Sequence, residues 1–200
     1  MKTMVKTIAI GVIFMSSLAV FGSNNDPSFT VKRYGDKGVA VYANPVFSTQ
    51  SQIVLEDMQG IILHSEPIAV NGSFNKLLNL NALPNGQYFL VYETDQLRKR
   101  IPVIIGTEGT FIDKEHATVD YFPRLSYHQH FVDLMHLSTG LKPVNVEIID
   151  SKQQLVFSET LKNKLKVERR YDVSQLPKGE YTFKVFTNNH LSELQLSLNN

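Results

Sequence analysis

Three histidines lie close together in the second half of the chain, at His128, His130 and His136. All three occupy even positions, so a single β-strand would place them on one face. Zinc and copper sites use a His-x-His spacing on a strand, where an imidazole nitrogen binds the metal. Asp133 has the opposite parity, and no other cluster of strong ligands is near in sequence. The three histidines are therefore a candidate metal site, and the simpler alternative is that they are solvent-exposed and bind no metal.

The residue patterns of common enzyme classes are missing from the sequence. It contains no G-x-S-x-G, no H-E-x-x-H, no phosphate-binding loop and no dinucleotide fingerprint. It also contains no cysteine, which excludes cysteine nucleophiles, iron–sulfur clusters and thiolate zinc sites. We therefore expect a protein without catalytic residues and without a cofactor.

A basic segment, "LKNKLKVERR", contains Lys162, Lys164 and Lys166. On a strand these lysines would share one face, opposite Leu165 and Val167. Such a face can bind anionic glycans or lipid head groups. It can also be the outer side of a strand, where lysine discourages edge-to-edge pairing. The second interpretation is the simpler one, and glycan binding stays as the alternative.

The N-terminal segment, "MKTMVKTIAIGVIFMSSLAVFGSNND", has the composition of a signal peptide. Lys2 and Lys6 form a positive n-region, and the apolar run that follows is shorter than the ~20 residues that span a bilayer. We predict a signal peptide over residues 1–22 and no transmembrane segment in the mature chain, with an uncleaved membrane anchor as the alternative. The protein is then exported, to the periplasm, the cell surface or the medium.

The charge of the mature chain gives no basis for nucleic-acid binding. Without Lys2 and Lys6 the chain has 18 basic and 19 acidic residues, a net charge of −1. Proteins that bind nucleic acid concentrate an excess of positive charge.

Because an exported chain without cysteine has no disulfides, packing alone must stabilise its domains.

The sequence repeats itself with an offset of 93 positions, most clearly in "LPNGQYFLVYE" and "LPKGEYTFKVF". The same offset places the alternating apolar residues at positions 101, 103 and 105 on leucines at positions 194, 196 and 198. Agreement of turn, strand phase and length predicts a duplicated unit of roughly 90 residues. We place the two units at residues 24–107 and 114–200. The joint between them lies in "GTEGTFIDKE", where Gly106 and Gly109 bracket a short polar link.

Each unit is predicted to be all-β. Short runs rich in β-branched residues, such as "QIVLED" and "NVEIID", are followed by polar turns and second apolar runs. After the signal segment, no stretch shows a sustained helical stripe of apolar residues. With about six to seven short strands per unit, the chain is predicted to fold as two tandem immunoglobulin-like β-sandwiches.

Both copies contain the motif Leu-Pro-x-Gly-x-Tyr directly before a predicted strand. Proline favours position i+1 of a β-turn, and glycine is favoured at i+3. The tyrosine matches the tyrosine corner of immunoglobulin-like sandwiches, in which the phenol reaches back to upstream backbone. Ordinary strand tyrosines are the alternative, and either way the motif is structural. Its residues are Leu83, Pro84, Gly86, Tyr88, Leu176, Pro177, Gly179 and Tyr181.

The order V-x-I-x-D, a turn, an apolar run and then L-P-x-G-x-Y resembles the C-terminal sorting domain of type IX secretion cargo proteins. It is also similar to small exported immunoglobulin-like domains of unknown function. The resembling segments are Val54 to Leu63 with Leu83 to Val91, and Val146 to Val156 with Leu176 to Val185. The resemblance implies an immunoglobulin-like fold and an address in the bacterial envelope.

We therefore expect an exported, non-enzymatic structural or protein-interaction module of the bacterial cell envelope. Its partners would be envelope proteins, bound at sheet edges or loop tips. Two alternatives are a glycan-binding module and a secretion-sorting domain, in which the C-terminal unit addresses the protein to type IX secretion.

Overall fold

A computed structural model describes residues 11–13, 28–44, 50–69, 72–188 and 190–199. Most of the predicted signal peptide therefore lies outside the described residues. The described residues form β-strands joined by turns, without a helix. In chain order the strands are β1 (Gly11–Ile13), β2 (Ser28–Arg33), β3 (Gly38–Asn44), β4 (Ser51–Asp57), β5 (Ile62–Ile68), β6 (Phe74–Asn79), β7 (Gly86–Thr94), β8 (Leu97–Gly106), β9 (Gly109–Ile112), β10 (Thr118–Tyr121), β11 (Arg124–His128), β12 (Phe131–Leu137), β13 (Val144–Asp150), β14 (Leu155–Leu161), β15 (Lys166–Asp172), β16 (Gly179–Phe186) and β17 (Leu191–Leu198).

The chain divides into two compact units, with the boundary between Asp120 and Tyr121. In the N-terminal unit one sheet has the order β2-β3-β6, and the other has the order β10-β8-β7-β4-β5 with β9 also paired to β8. Apolar residues of both sheets form its core, and Val31, Val41, Leu90 and Val103 are fully buried. Burial of these side chains is the main favourable term in folding.

The C-terminal unit has one sheet with the order β14-β13-β16-β17 and a second with the order β1-β15-β12-β11. Its core is a single cluster that includes Val132, Val146, Tyr171, Phe183 and Leu196. In β16 the buried residues alternate with half-buried ones, which is the period-2 pattern of a strand with one face on a core.

The two units share one strand plan. Apart from β1, β9 and β10, the strands β2, β3 and β6 of the first unit correspond to β11, β12 and β15 of the second, and each set forms one sheet. The other sheet, with the same exceptions, has the order β5-β4-β7-β8 in the first unit and β14-β13-β16-β17 in the second. Strands β3, β4 and β5 start 93 positions before β12, β13 and β14. Even the register irregularity at Leu55/Glu56 recurs at Ile148/Ile149. The prediction of two tandem immunoglobulin-like sandwiches is confirmed.

The boundary between the units differs from the predicted link. Gly106 and Gly109 face each other in the turn that joins β8 to β9, and β10 also belongs to the sheet of the N-terminal unit. Residues 109–120 therefore extend the first sheet, and the described part of the first unit has nine strands where six or seven were expected.

Candidate functional site

The three candidate metal ligands do not share a strand. His128 is the last residue of β11, His130 lies in the following turn, and His136 is on β12. The turn reverses the chain, so that His128 pairs in register with Phe131. The prediction that the three histidines share one strand face is wrong, because a turn separates His128 from His136.

The three histidines differ in exposure, since His128 is exposed and His130 and His136 are half-buried. His128 Nε2 lies 3.6 Å from Asp133 Oδ2, and the ring of His130 packs against Phe131 with centroids 4.1 Å apart. Within the described ranges, no group of three or more His, Cys, Asp or Glu side chains is placed to hold a metal ion.

Asp133 itself binds an arginine. Arg170 donates from Nε to Asp133 Oδ1 at 2.6 Å and from Nη2 to Oδ2 at 2.8 Å. These charge-assisted bonds favour the ionised carboxylate. The Arg170 guanidinium thereby holds the pKa of Asp133 below its ordinary value, against the opposing effect of partial burial. Because both carboxylate oxygens accept bonds from Arg170, Asp133 is a structural residue.

The three lysines of the basic segment do not form a common face. Strand β15 begins at Lys166, whereas Lys162 and Lys164 lie in the loop before it. Leu165, expected on the apolar side, is 56% exposed. Lys166 Nζ is 2.6 Å from Glu168 Oε1. The single basic face that the glycan alternative requires is therefore not formed by one strand.

The Leu-Pro-x-Gly-x-Tyr motif has the same geometry in both units. Tyr88 Oη donates to the carbonyl oxygen of Pro84 at 2.9 Å, and Tyr181 Oη donates to that of Pro177 at 2.9 Å. Both tyrosine rings are buried. Each phenol thus ties the start of a central strand to the turn that precedes it, as in a tyrosine corner.

A buried charge cluster in the N-terminal unit was missed by sequence reasoning. Glu56 is 1% exposed, and its carboxylate binds Arg98 Nη2 at 2.5 Å and Arg100 Nη2 at 2.6 Å. A buried carboxylate requires such partners. The offset of 93 places Ile149 at this position of the second copy. A charged residue at a position that is aliphatic in the other copy is the sequence feature that could have revealed the buried carboxylate.

Strands β4 and β5 are joined by an exposed apolar turn, which we call the β4–β5 tip. Its residues Met58, Ile61, Ile62 and Leu63 are 60%, 62%, 60% and 44% exposed. Exposed apolar groups that are contiguous mark interaction surfaces more often than scattered ones do.

The corresponding turn of the C-terminal unit is more polar. Ser151 and Gln154 stand where the β4–β5 tip has Met58 and Ile61. An aspartate organises both turns: Asp57 Oδ1 accepts from the amides of residues 59 and 61, and Asp150 Oδ1 accepts from those of residues 152 and 154. The same turn is therefore built twice, and only its outer side chains change.

One comparison concerns the C-terminal unit alone. Residues 130–196 match the family model described as "Secretion system C-terminal sorting domain". The resemblance expected from the sequence is confirmed, over about a third of the chain. The matched range begins in the turn before β12 and ends within β17. A sorting domain of this kind implies export and a cell-surface or extracellular location.

Solved structures show weak similarity to the chain. One is a "Biofilm associated protein - BSP domain" at 11% identity and a TM-score of 0.27, covering 83% of this chain and 28% of that chain. Another is a two-domain fibronectin type III segment from chicken tenascin at 11% identity and a TM-score of 0.29, covering 86% of this chain and 98% of that chain. At such TM-scores nothing about function carries over. No curated protein sequence matches the chain.

The described residues include no helix of the length and apolar character needed to cross a membrane.

Proposed function

We propose that the chain is an exported, non-enzymatic protein whose C-terminal unit directs type IX secretion and whose N-terminal unit is a structural or protein-interaction module. The observation that carries the proposal is the match of residues 130–196 to a secretion sorting domain. That range falls inside one compact unit with its own core. A transferable signal needs such independence from the protein that it exports.

The N-terminal unit has the same strand plan but lies outside the matched range. We assign it the interaction role because of the β4–β5 tip, where Met58 and Ile61 replace the polar residues of the second copy. An exposed apolar tip suits a protein partner with an apolar surface. The glycan alternative has lost its main support, since Lys162 and Lys164 do not share a face with Lys166.

Secretion can be tested with a unit exchange in a bacterium that has a type IX system. Three chains are compared. The first is the full chain, and the second has residues 121–200 replaced by a second copy of residues 28–120. The third is the full chain with Tyr34→Phe, a control substitution outside the C-terminal unit. The full chain and the control are expected at the cell surface or in the medium, and the exchanged chain in the periplasm. Surface delivery of the exchanged chain at the level of the full chain would refute the sorting role.

The interaction role is tested on the exported protein by tip exchange. Met58→Ser with Ile61→Gln gives the N-terminal turn the residues of the second copy, which the same aspartate-organised turn accommodates. We expect these changes to abolish photo-crosslinks from position 62 to a surface protein without altering export. The reciprocal changes, Ser151→Met with Gln154→Ile, are the control, and unchanged crosslinking in the first variant would refute the role of the tip.

A further inference from the structure

Strand β15 of the C-terminal unit has neighbours on both sides, and one of them comes from the predicted signal peptide. On one side it pairs with β12. On the other side it pairs antiparallel with β1, so that Gly11 faces Asp172 and Ile13 faces Arg170. The segment Gly11–Ile13 thus occupies the edge of the sheet that β11, β12 and β15 form.

The backbone groups that β1 uses can be identified from those that β12 uses. The amide of Val173 donates to the carbonyl of His130 at 2.9 Å, and the amide of Ser138 donates to the carbonyl of Leu165 at 2.8 Å. Along an antiparallel strand, the amides and carbonyls of successive residues point alternately to the two sides. The backbone groups of the odd-numbered residues of β15 therefore point towards β12. The amides and carbonyls of Arg170 and Asp172 point the other way, towards β1.

The described core of the unit comes from residues after β10. Every member of its buried cluster lies between Val132 and Leu198. Loss of Gly11–Ile13 would take away the backbone neighbour of Arg170–Asp172 at this edge. An edge strand with unpaired amides and carbonyls readily accepts another strand.

We propose that the outer edge of β15 is a strand-acceptor site and that its occupant in the unprocessed chain is Gly11–Ile13. Docking of the leader keeps the amides and carbonyls of Arg170 and Asp172 covered before export. Cleavage of the leader uncovers them and leaves the edge able to bind an extended segment in the same register. The inference rests on the proposed export for the cleavage step alone, because docking is a property of the purified chain.

Amide hydrogen exchange followed by NMR tests the docking residue by residue. Residues 1–200 are compared with a chain that starts at residue 23. The amides of Arg170 and Asp172 are expected to exchange about tenfold or more slowly in the longer chain. The amides of Arg169 and Tyr171, which bond to β12, serve as internal controls and are expected to be protected in both. Equal exchange at Arg170 in the two chains overturns the proposal, whatever the outcome of the secretion experiment.

A peptide supplied separately tests the register. A peptide of residues 9–15 with a lysine tail for solubility is expected to restore protection at Arg170 in the shorter chain. N-methylation of Ile13 should abolish this effect, because Ile13 pairs with Arg170 through groups that face it. N-methylation of Val12, whose amide points away from β15, should preserve it. Equal effects of the two modified peptides, or protection in the shorter chain through dimerisation, would overturn the assignment of the leader as occupant.

Discussion

Arg170 binds both carboxylate oxygens of Asp133, at 2.6 Å and 2.8 Å, from the directly paired position of the neighbouring strand. The guanidinium also lies over the ring of Phe131, 5.3 Å from its centroid. A two-point geometry with an aromatic neighbour is the arrangement for which arginine is better suited than lysine. The pair links β12 to β15 on the outer face of the C-terminal unit.

This pair should make stability depend on pH. The pKa of Asp133 is lowered in the folded protein, so its ionised form stabilises the fold above the unfolded pKa, and this contribution is lost as pH falls through the folded value. Asp133→Asn should cost about 1.5–3 kcal/mol at neutral pH. The difference from the parent chain should shrink below about pH 4. Urea unfolding at several pH values measures it.

The matched control is Asp36→Asn, since the Asp36 side chain is 99% exposed and its carboxylate lies 3.9 Å from Arg33 Nη2. An exposed pair of this kind contributes little. We expect its stability to follow that of the parent chain. A constant difference between Asp133→Asn and the parent at all pH values would contradict the assigned role of the carboxylate.

The two tyrosine corners should contribute equally to the free energy of unfolding of their units. Tyr88→Phe and Tyr181→Phe each remove one hydrogen bond to a proline carbonyl and should each destabilise their own unit by about 1 kcal/mol. Tyr34→Phe, at a residue that is 57% exposed, is the control. Differential scanning calorimetry resolves which unit loses stability. No loss in either corner variant would mean that the tyrosines act only through their rings.

Features repeated between the two copies could be predicted from the sequence. The motif that contains Tyr88 and Tyr181, the strand pairs and the sandwich class follow from turn chemistry and period-2 burial, which are local properties. The family resemblance was also carried by these residues. Repetition adds information because two copies that differ in most residues agree only where the fold requires it.

Features that depend on backbone exceptions or on tertiary pairing were not predictable. The turn that separates His128 from His136 contains Gln129 at φ 56°, and the loop before β15 contains Asn163 at φ 55°. Glutamine is not a residue that marks a left-handed position in sequence. The segment after Gly109 has the composition of a linker, and its pairing with β8 is visible only in three dimensions. The partners of Glu56 come from β8, where Arg98 lies 42 positions away in the chain.

Removal of the hydroxyl group should have opposite effects on stability at two buried tyrosines. Tyr92 Oη has no hydrogen-bond partner among the described residues, and burial raises the pKa of Tyr92 to about 12, with a contribution from Asp95. Tyr171 Oη donates to Glu159 Oε2 at 2.9 Å. Tyr92→Phe should therefore leave stability unchanged or raise it by about 1 kcal/mol, whereas Tyr171→Phe should lower it by about 1.5–3 kcal/mol.

Chemical denaturation of the two variants side by side gives the comparison, because both rings are fully buried and lose the same atom. The ring contacts of Tyr92 with Phe29 and of Tyr171 with Phe183 are retained in phenylalanine. A large loss for Tyr92→Phe would indicate that its hydroxyl has a partner in solution.

The aspartate-organised turns provide the last prediction, through Gly60 and Gln153. The two residues occupy the same turn position, with φ of 82° and 61°, and their amides donate to the carbonyls of Asp57 and Asp150 at 3.1 Å and 3.0 Å. A side chain in this left-handed region is strained, whereas glycine is not. Gln153→Gly should therefore stabilise the C-terminal unit by about 0.5–1 kcal/mol, and Gly60→Gln should destabilise the N-terminal unit by about 1 kcal/mol.

Steric clash does not contribute to the second effect, since a Cβ at Gly60 would meet no described atom within 4 Å. The control is Lys152→Gly in the same turn, which should lower stability because glycine there only increases the freedom of the unfolded chain. Urea unfolding of the three variants decides the matter. Stabilisation by Lys152→Gly as large as that by Gln153→Gly would show that the turn gains from flexibility in general, and that the left-handed backbone of Gln153 is not the cause.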